Sequence, residues 1–236
     1  MKGIKITIIT VCYNSKDLLS LTLNSVALQD YDDLEYIIID GKSTDGTLEL
    51  IESYGNKVSR CLSERDKGIY DAMNKGVSLS TGDWLLFLNA GDRFASNDVL
   101  ERIFSHNITG DVIYGDVIKD GKIKKAELPH NSHRMFFCHQ SCLVRRQLLL
   151  KYPFDIEYKL SADFKFIKTL YNIGMKFIKL DFPISIFDTT GISNSKRSVG
   201  LWDNIKVIHE VDNLYNQIRL LPRLFFVFLL CKLRGK

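Results

Sequence analysis

Short apolar segments alternate with helical segments through the first hundred residues, and this alternation constrains the fold more than any other feature. The segment 4–11 is rich in β-branched residues and apolar on both sides, as expected of a strand buried on two faces. Later segments repeat apolar residues at helical spacing. The predicted strands are 4–11, 34–40, 59–63 and 84–88, and the predicted helices are 15–29, 44–54 and 69–79. This order predicts an α/β fold with a parallel, right-handed βαβ sheet.

The pattern becomes mixed after residue 100. The elements predicted there are a hairpin of strands 111–118 and 122–127, a helix over 162–172 and a strand over 176–182. No linker-like composition separates this part from the first. The sequence therefore predicts one domain over 1–218, followed by a tail over 219–236.

The basic character of the chain is confined to that tail. The net charge is +4, but residues 219–236 carry five basic and no acidic side chains, which leaves −1 for the rest. This distribution argues against a nucleic-acid-binding face. The tail contains an apolar run of eight residues, 224–231, which is too short to span a bilayer. We expect the tail either to lie on an anionic membrane surface or to pack as a helix on the body or on a dimer partner.

The cysteines and the start of the chain indicate a cytoplasmic protein. The five cysteines are an odd number without C-x-x-C spacing, which is typical of reduced thiols. The apolar start is short for a signal peptide and runs into Tyr13-Asn14 rather than a small-residue cleavage site. The tail adds the expectation of peripheral attachment to the inner face of the plasma membrane.

Polar residues and glycines follow each of the four predicted strands. In an open parallel sheet, ligands bind beyond the carboxyl ends of the strands. Each polar segment alone is compatible with an ordinary turn. Four of them at one edge of the sheet predict a binding site instead. The segments are 10–14, 40–47, 64–68 and 89–92.

Taken together, these segments resemble the inverting glycosyltransferases of family 2, which have the GT-A fold. The residues that carry the resemblance are 8–14, 25–29, 39–47, 63–76 and 81–92. It implies a Rossmann-like, mainly parallel sheet flanked by helices, with a nucleotide-binding half over 1–100 and an acceptor half over 101–200. The implied activity is transfer of a sugar from a nucleotide diphosphate donor, usually a UDP-sugar, to a hydroxyl of a saccharide. The alternative is a non-catalytic module that binds nucleotide or sugar.

The resemblance assigns donor-binding roles to residues at the strand ends. Thr10 and Tyr13 would line the base pocket, and Asp40 would accept a hydrogen bond from the uracil ring. Asp66 and the start of the next helix would lie near the nucleoside and diphosphate, where helix N–H groups suit phosphate. The full implied set is Thr10, Tyr13, Asn14, Asp40, Asp66, Lys67, Tyr70, Asn74, Asn89, Ala90 and Gly91.

The D-x-D metal motif of the family is incomplete in this chain. Asn89 stands where the first acid is common and Gly91 replaces the middle residue, so only Asp92 keeps a carboxylate. Mg²⁺ and Mn²⁺ are often held by one or two carboxylates together with substrate phosphates and water. We therefore expect Mn²⁺ or Mg²⁺ to enter with the donor, bound by Asp92, and to offset charge on the leaving diphosphate.

An inverting transfer also needs a group that takes the proton of the acceptor hydroxyl. By resemblance that base is Asp163, at a predicted helix start. The alternative is that Asp163 has only a structural role. Ser161 is a good N-cap, and the helix dipole stabilises an acidic side chain in the first turn. His139 and Gln140 are implied on the acceptor side, although a structural histidine is equally consistent. The loop 189–193 is similar to the family's mobile loop near the diphosphate.

The resemblance and the tail together suggest an acceptor. If the tail binds a membrane, we expect a lipid-linked sugar at the cytoplasmic face, as in bacterial surface-polysaccharide assembly. A free saccharide is the other acceptor considered.

Overall fold

A computed structural model of the chain describes residues 3–105, 109–190 and 197–233. The strands are β1 (Ile6–Cys12), β2 (Leu34–Asp40), β3 (Arg60–Ser63), β4 (Trp84–Phe87), β5 (Arg93–Phe94), β6 (Val112–Lys119), β7 (Lys122–Lys124), β8 (Cys142–Arg145) and β9 (Phe177–Phe187). The helices are α1 (Lys16–Ala27), α2 (Thr47–Ser53), α3 (Ile69–Leu79), α4 (Val99–Phe104), α5 (Arg146–Lys151), α6 (Ala162–Asn172), α7 (Arg197–Val211) and α8 (Leu214–Leu233). Short 3-10 turns lie at Gly55–Lys57 and His139–Ser141.

The described strands form one mixed sheet. Its main path is β3-β2-β1-β4-β8-β6-β9-β5, and β7 pairs with β6 beside it. The first four strands of this path are parallel, which confirms the predicted parallel half. β8 runs antiparallel to both β4 and β6, and β9 is parallel to β6. The sheet therefore continues from the parallel half into the mixed half without a break.

Both faces of the sheet are covered, as the apolar strands require. Ile6 and Ile8 of β1 face a cluster that includes residues of α1 and α4. Ile9 and Val11, one residue out of phase, face a second cluster that includes residues of α3, α6 and α7. Each fully buried aliphatic side chain of this kind stabilises the fold by about 1.5–3 kcal/mol. The two clusters hold the strand ends in fixed positions.

The part of the chain after β4 differs from the sequence prediction in several elements. β5, β8, α4 and α5 were not predicted, because each has two to six residues and no long periodic pattern. β9 continues to Phe187 instead of ending at 182, and Pro183 is accommodated where its pairing with β6 is irregular. The helix predicted over 162–172 is confirmed as α6.

The tail is longer than the apolar run predicted for it. Residues 219–233 of the tail belong to α8, a helix of 20 residues that begins before the tail and is long and apolar enough to cross a membrane by length and composition alone. The apolar run 224–231 is thus only part of a longer helix, in which Arg219 and Arg223 interrupt the apolar surface. One side of α8 packs on α7, where the rings of Trp202 and Phe228 lie 5.4 Å apart between centroids.

Candidate active site

Tyr13, Gly41 and Asp66 converge at the ends of β1, β2 and β3. A Cβ atom placed on Gly41 would lie 2.9 Å from Oδ2 of Asp66 and 3.2 Å from Cδ2 of Tyr13. Tyr13 is 64% exposed, so its side chain is accessible from solvent. Oδ1 of Asp66 accepts the Gly68 N–H at 2.9 Å. The three residues thus frame a surface with an aromatic ring, bare backbone and a carboxylate oxygen, which suits a flat base with an N–H donor.

Two residues predicted to contact the base are buried instead. Thr10 is fully buried, pairs with the Tyr36 hydroxyl at 2.9 Å and donates to the Leu88 carbonyl at 2.6 Å. The prediction that Thr10 lines the pocket is therefore wrong for this structure, because its side chain lies inside the sheet layer.

Asp40 is also fully buried, and donors already surround its carboxylate. Oδ2 accepts from the Ser43 N–H at 3.0 Å and the Ser63 hydroxyl at 2.6 Å. Oδ1 accepts from the Ser43 hydroxyl and the Cys12 thiol. A carboxylate accepts about four hydrogen bonds, so Asp40 has no open site for a uracil N–H. The structure contradicts that predicted role and gives Asp40 the task of fixing the end of β2.

Asn14 and Lys67 lie at the same edge and are exposed. Asn14 adopts a left-handed backbone conformation (φ 44°), and its side-chain oxygen accepts the Thr44 N–H at 2.9 Å. This bond joins the end of β1 to the loop after β2. The backbone N–H of Lys67 donates to Oδ2 of Asp71 at 2.9 Å. Its side-chain ammonium group takes no part in this bond. The donor-binding role of both residues remains a prediction.

Asn74 and Tyr70, on α3, contact the acceptor half. The Asn74 amide donates to the Phe154 carbonyl at 2.8 Å and accepts the Phe154 N–H at 3.0 Å. The Tyr70 hydroxyl donates to Oδ1 of Asp163 at 2.8 Å. Both side chains therefore connect the two halves, a position that was not expected from their implied donor-binding roles.

The segment 89–92 forms the metal side of the site. Thr22 of α1 fixes it, since its hydroxyl donates to the Asp92 carbonyl at 2.8 Å and accepts the Gly91 N–H at 3.0 Å. Oδ1 of Asn89 is buried and accepts no hydrogen bond from the described residues. Ala90 is half-buried beside it. The segment therefore presents its polar groups in a fixed loop directly after β4.

Asp188, which the sequence analysis missed, lies against this loop. Its N–H donates to Oδ1 of Asp92 at 2.9 Å. A Cβ atom on Gly91 would lie 2.7 Å from Oδ2 of Asp188, so only glycine allows this approach, and its φ of 100° also favours glycine. The sequence signal was its position at the end of the last strand, directly before the loop 189–193. Of that loop, residues 191–193 lie outside the described residues.

The donor set of this pocket fits a hard divalent cation. Burial raises the pKa of Asp92 to about 7. Backbone N–H groups that donate to the carboxylate lower this pKa, and the negative charge of Asp188 raises it further. A cation would stabilise both carboxylates in their charged form, and oxygen ligands suit Mg²⁺ and Mn²⁺. No cluster of three His, Cys, Asp or Glu side chains that could hold a metal occurs within residues 3–105, 109–190 and 197–233. Substrate oxygens and water would therefore have to complete the coordination.

The 3-10 turn before β8 joins the metal side to Asp163. The Gln140 side chain lies near Asp92 and lowers the pKa of that carboxyl, which favours its charged form. Its neighbour His139 places Nδ1 3.9 Å from Oδ2 of Asp163. His139 packs between the rings of Phe87 and Phe154, and burial lowers its pKa, so the imidazole is neutral at pH 7. This packing favours a structural role for His139, and contact with the acceptor remains a prediction.

Asp163 is the second residue of α6, and its side chain is 20% exposed. Ser161 does not cap the helix with its side chain, because its hydroxyl donates to the Gly200 carbonyl at 3.3 Å. Ser161 is therefore the N-cap residue of α6 by position, but its side chain makes no capping hydrogen bond. Asp163 remains partly open to solvent, close to the turn that lies near Asp92. One surface thus combines an aromatic and carboxylate pocket, a carboxylate pair for a cation and a further carboxylate that could accept a proton.

Comparison with known families and curated proteins gives consistent matches. Residues 7–177 match the model of glycosyl transferase family 2. A PGL/p-HBAD biosynthesis glycosyltransferase of Mycobacterium tuberculosis is 34% identical over 171 residues, which cover 68% of this chain and 67% of the relative. The amylovoran biosynthesis glycosyltransferase AmsB of Erwinia amylovora is 26% identical over 210 residues, covering 78% of this chain and 70% of AmsB.

Solved structures share the fold at lower identity. S. aureus TarS 1-349 in complex with UDP-GlcNAc superposes with a TM-score of 0.71 at 22% identity, over 88% of this chain and 65% of that one. The mannosyltransferase PcManGT of Pyrobaculum calidifontis, in complex with GDP-Man and Mn²⁺, gives a TM-score of 0.68 at 16% identity, over 88% and 64%. This chain spans 40% of the longer TarS chain. These likenesses confirm the predicted α/β GT-A architecture.

Proposed function

The chain belongs to glycosyl transferase family 2 and has the GT-A fold, and on this premise we propose that it moves a sugar from a UDP-sugar to a hydroxyl of a saccharide acceptor. Family membership makes the chain a glycosyltransferase rather than a binding module. A nucleotide-sugar donor is supported by TarS with UDP-GlcNAc and PcManGT with GDP-Man. The choice of uridine follows from the pocket of this chain.

The base pocket consists of Tyr13, Gly41 and Asp66. The exposed ring of Tyr13 stacks on the pyrimidine, and Oδ2 of Asp66 accepts its N3–H. The bare backbone of Gly41 lets the base approach between them. In this proposal Asp66 takes the acceptor role that the sequence resemblance gave to Asp40, because the Asp40 carboxylate already has four donors.

The transfer is a single displacement at the anomeric carbon. The acceptor oxygen forms the new bond to that carbon, while the bond from the carbon to the diphosphate oxygen breaks and its electron pair leaves with UDP. The acceptor proton passes to the Asp163 carboxylate, which acts as general base. The buried, neutral His139 behind the carboxylate adds no competing positive charge.

The leaving diphosphate lies on the metal side. Asp92 and Asp188 would hold Mn²⁺ or Mg²⁺, which stabilises negative charge on the diphosphate as a Lewis acid. The resemblance implies that Asn89 contacts the donor, and in this proposal its side chain bonds a ribose hydroxyl. The nearby Gln140 side chain favours the charged form of Asp92.

One observation carries the proposal: adjacent residues of one turn, His139 and Gln140, lie beside the proposed base and the proposed metal ligand, respectively. Proton removal and leaving-group stabilisation therefore have their groups within one site. The test is Asp163→Asn, which we expect to abolish transfer while UDP still binds with Mn²⁺. The matched control is Asp155→Asn, since Asp155 is a partly exposed acid of the same half that pairs with Lys165. Normal transfer by Asp163→Asn would refute the proposal.

The donor is tested separately by thermal shift. UDP-glucose, UDP-galactose, their N-acetyl forms and GDP-mannose are each added with Mn²⁺, and a ligand that binds the native state raises the melting temperature. We expect the UDP-sugars, and not GDP-mannose, to raise it. Stabilisation by GDP-mannose alone would contradict the proposed pyrimidine pocket.

For the acceptor we propose a lipid-linked saccharide in the assembly of a surface glycoconjugate. The names of the relatives support this class, since they refer to PGL/p-HBAD and amylovoran biosynthesis. A protein that acts on such an acceptor works at the cytoplasmic face of the membrane. The helix α8 offers a surface for that attachment.

The outward side of α8 is apolar with basic residues beside it. Tyr215, Ile218 and Phe226 are 72%, 67% and 63% exposed. The helix contains Arg219, Arg223 and Lys232 and no acidic residue. This combination is complementary to an anionic bilayer, in which apolar side chains enter the headgroup region and basic side chains meet lipid phosphates. We infer that α8 lies in the plane of an anionic leaflet.

Vesicle flotation tests this attachment with the full chain. We expect the chain to float with vesicles that contain anionic lipid and not with neutral ones, and the double variant Ile218→Glu, Phe226→Glu to stay unbound. Leu128→Glu is the control, since Leu128 is 73% exposed but lies outside α8. Equal flotation of all three proteins would contradict the proposal. A wild-type dimer that the double variant converts to a monomer would assign the surface to a second copy instead.

A further inference from the structure

The Tyr70 side chain connects the nucleotide half to the proposed base. Tyr70 is the second residue of α3, and only 8% of it is exposed. Its ring packs against Phe154, with 5.6 Å between centroids. Its hydroxyl donates to Oδ1 of Asp163 at 2.8 Å. Burial and the nearby Asp163 carboxylate raise the pKa of Tyr70, so the hydroxyl keeps its proton and remains a donor.

The same hydroxyl also lies close to the backbone at the start of α6. The N–H groups of Ala162 and Asp163 oppose the rise of the Tyr70 pKa. These N–H groups have no partner inside the helix, and a capping side chain normally satisfies them. Ser161 does not, because its hydroxyl is bonded to Gly200. Tyr70, from another helix, therefore lies at a helix start that lacks a side-chain cap and holds the carboxylate of its second residue.

This arrangement leaves the two carboxylate oxygens of Asp163 unequal. Oδ1 is occupied by the Tyr70 hydroxyl. Oδ2 lies 3.9 Å from Nδ1 of His139, beyond hydrogen-bonding distance. Oδ2 is therefore the oxygen that remains for the proton of an acceptor hydroxyl, and its direction is set by the bond to Oδ1.

We propose that Tyr70 is a positioning residue for the transfer reaction, which fixes Asp163 so that Oδ2 faces the acceptor hydroxyl. This inference rests on the proposed role of Asp163 as general base. It replaces the donor-binding role implied for Tyr70 by its place in the motif 63–76. In this proposal a residue of α3, which begins at the donor edge, acts on chemistry in the other half through Asp163 at the start of α6.

The experiment compares Tyr70→Phe with Tyr158→Phe. Phenylalanine keeps the ring and removes only the hydroxyl. Tyr158 is a matched control, because it is also a buried tyrosine that donates to a carboxylate, here Glu210, away from the proposed site. We expect Tyr70→Phe to lower kcat about 10- to 100-fold through misplacement of the base, with the Kd of UDP and the KM of the donor unchanged. We expect Tyr158→Phe to leave kcat unchanged.

The pH profile separates positioning from mere stabilisation. A base works only when deprotonated, so kcat falls at low pH. Loss of a hydrogen bond that favours the carboxylate form should move this acidic limb to higher pH in Tyr70→Phe. Replacement of Tyr70 by 3-fluorotyrosine, a stronger donor of nearly the same shape, should move the limb to lower pH. This second substitution keeps the test valid even if Tyr70→Phe does not fold.

The outcomes distinguish this inference from the proposed function. If Asp163→Asn retains transfer, the assignment of the base is wrong and the role of Tyr70 falls with it. If Asp163→Asn is inactive but both Tyr70 substitutions leave kcat and the pH profile unchanged, only the positioning role is refuted. A weaker Kd for UDP in Tyr70→Phe, with kcat unchanged, would return Tyr70 to the donor pocket and also overturn the inference.

Discussion

Gly41→Ala should damage nucleotide binding without unfolding the protein. The new Cβ atom would lie 2.9 Å from Oδ2 of Asp66 and 3.2 Å from the Tyr13 ring. Both are movable side-chain atoms, and Gly41 does not have a positive φ, so the backbone tolerates alanine. The hydrogen bond from the Gly41 N–H to the Cys12 carbonyl also remains. We therefore expect the free energy of unfolding to change by less than about 1 kcal/mol.

The expected loss of UDP affinity follows from the displacement of Asp66. Asp66 must shift away from Gly41 by a few tenths of an ångström or more, and the methyl group occupies the space proposed for the base. A hydrogen bond to a charged group contributes about 1.5–3 kcal/mol, so its loss should weaken UDP binding about 10- to 150-fold.

Calorimetric titration with UDP and Mn²⁺ measures this affinity, and urea unfolding measures stability. Gly3→Ala is the control, because its Cβ atom would meet Asp33 at an ordinary 3.6 Å and lies outside the site. Wild-type affinity for UDP in Gly41→Ala would refute the base pocket of Tyr13, Gly41 and Asp66. A large loss of stability would instead refute the reasoning that the neighbouring side chains give way.

Three further predictions concern the carboxylates. Asp188→Asn should remove the increase in UDP affinity caused by Mn²⁺ and leave metal-free binding unchanged. Asp181→Asn, in the strand that precedes Asp188, should preserve both in the same titrations. Burial alone would raise the pKa of Glu35, but hydrogen bonds from Thr7 and Thr81 outweigh burial and lower the pKa. The ionised Glu35 therefore stabilises the folded state above about pH 4.5, and this stabilisation is lost as the pH falls. Urea unfolding should therefore show Glu35→Gln less stable than wild type by about 1–3 kcal/mol at pH 6, with a smaller difference at pH 3. Asp212→Ala should cost about 3–5 kcal/mol in the same assay, because it leaves the buried Lys168 ammonium, 2.8 Å away, without its counter-charge; a cost below 1 kcal/mol would contradict this.

The parallel half of the fold could be predicted because its strands are uninterrupted apolar runs. Ile37 and Ile39 enter one core and Ile38 the other, so the sequence leaves no face of β2 for solvent. β8 could not be predicted in the same way, since a strand of four residues has too few positions to show a period. Its place between β4 and β6 depends on pairing between distant segments.

The candidate site was predictable in location but not in detail. The sequence placed Asp40 and Asp66 at strand ends. It did not show which of the two carboxylates is buried under hydroxyl donors and which is open. Asp188 lies 96 residues from Asp92, and only the folded sheet brings them together. The bond from Tyr70 to Asp163 spans 93 residues and joins two helix starts, so no local pattern indicates it.

The reversed direction of β8 has a consequence for how such a chain diversifies. β8 runs antiparallel to β4, with Leu143 beside Leu86. The N-terminal end of β8, rather than its C-terminal end, therefore lies at the sheet edge where the candidate nucleotide-binding residues gather. The segment between β7 and β8 therefore ends next to the proposed reacting groups. The pairing of β8 fixes only the last turn of this segment, His139–Ser141. Insertions and exchanges between β7 and β8 could thus reshape the surface that meets the acceptor, while the four parallel strands that serve the donor stay untouched.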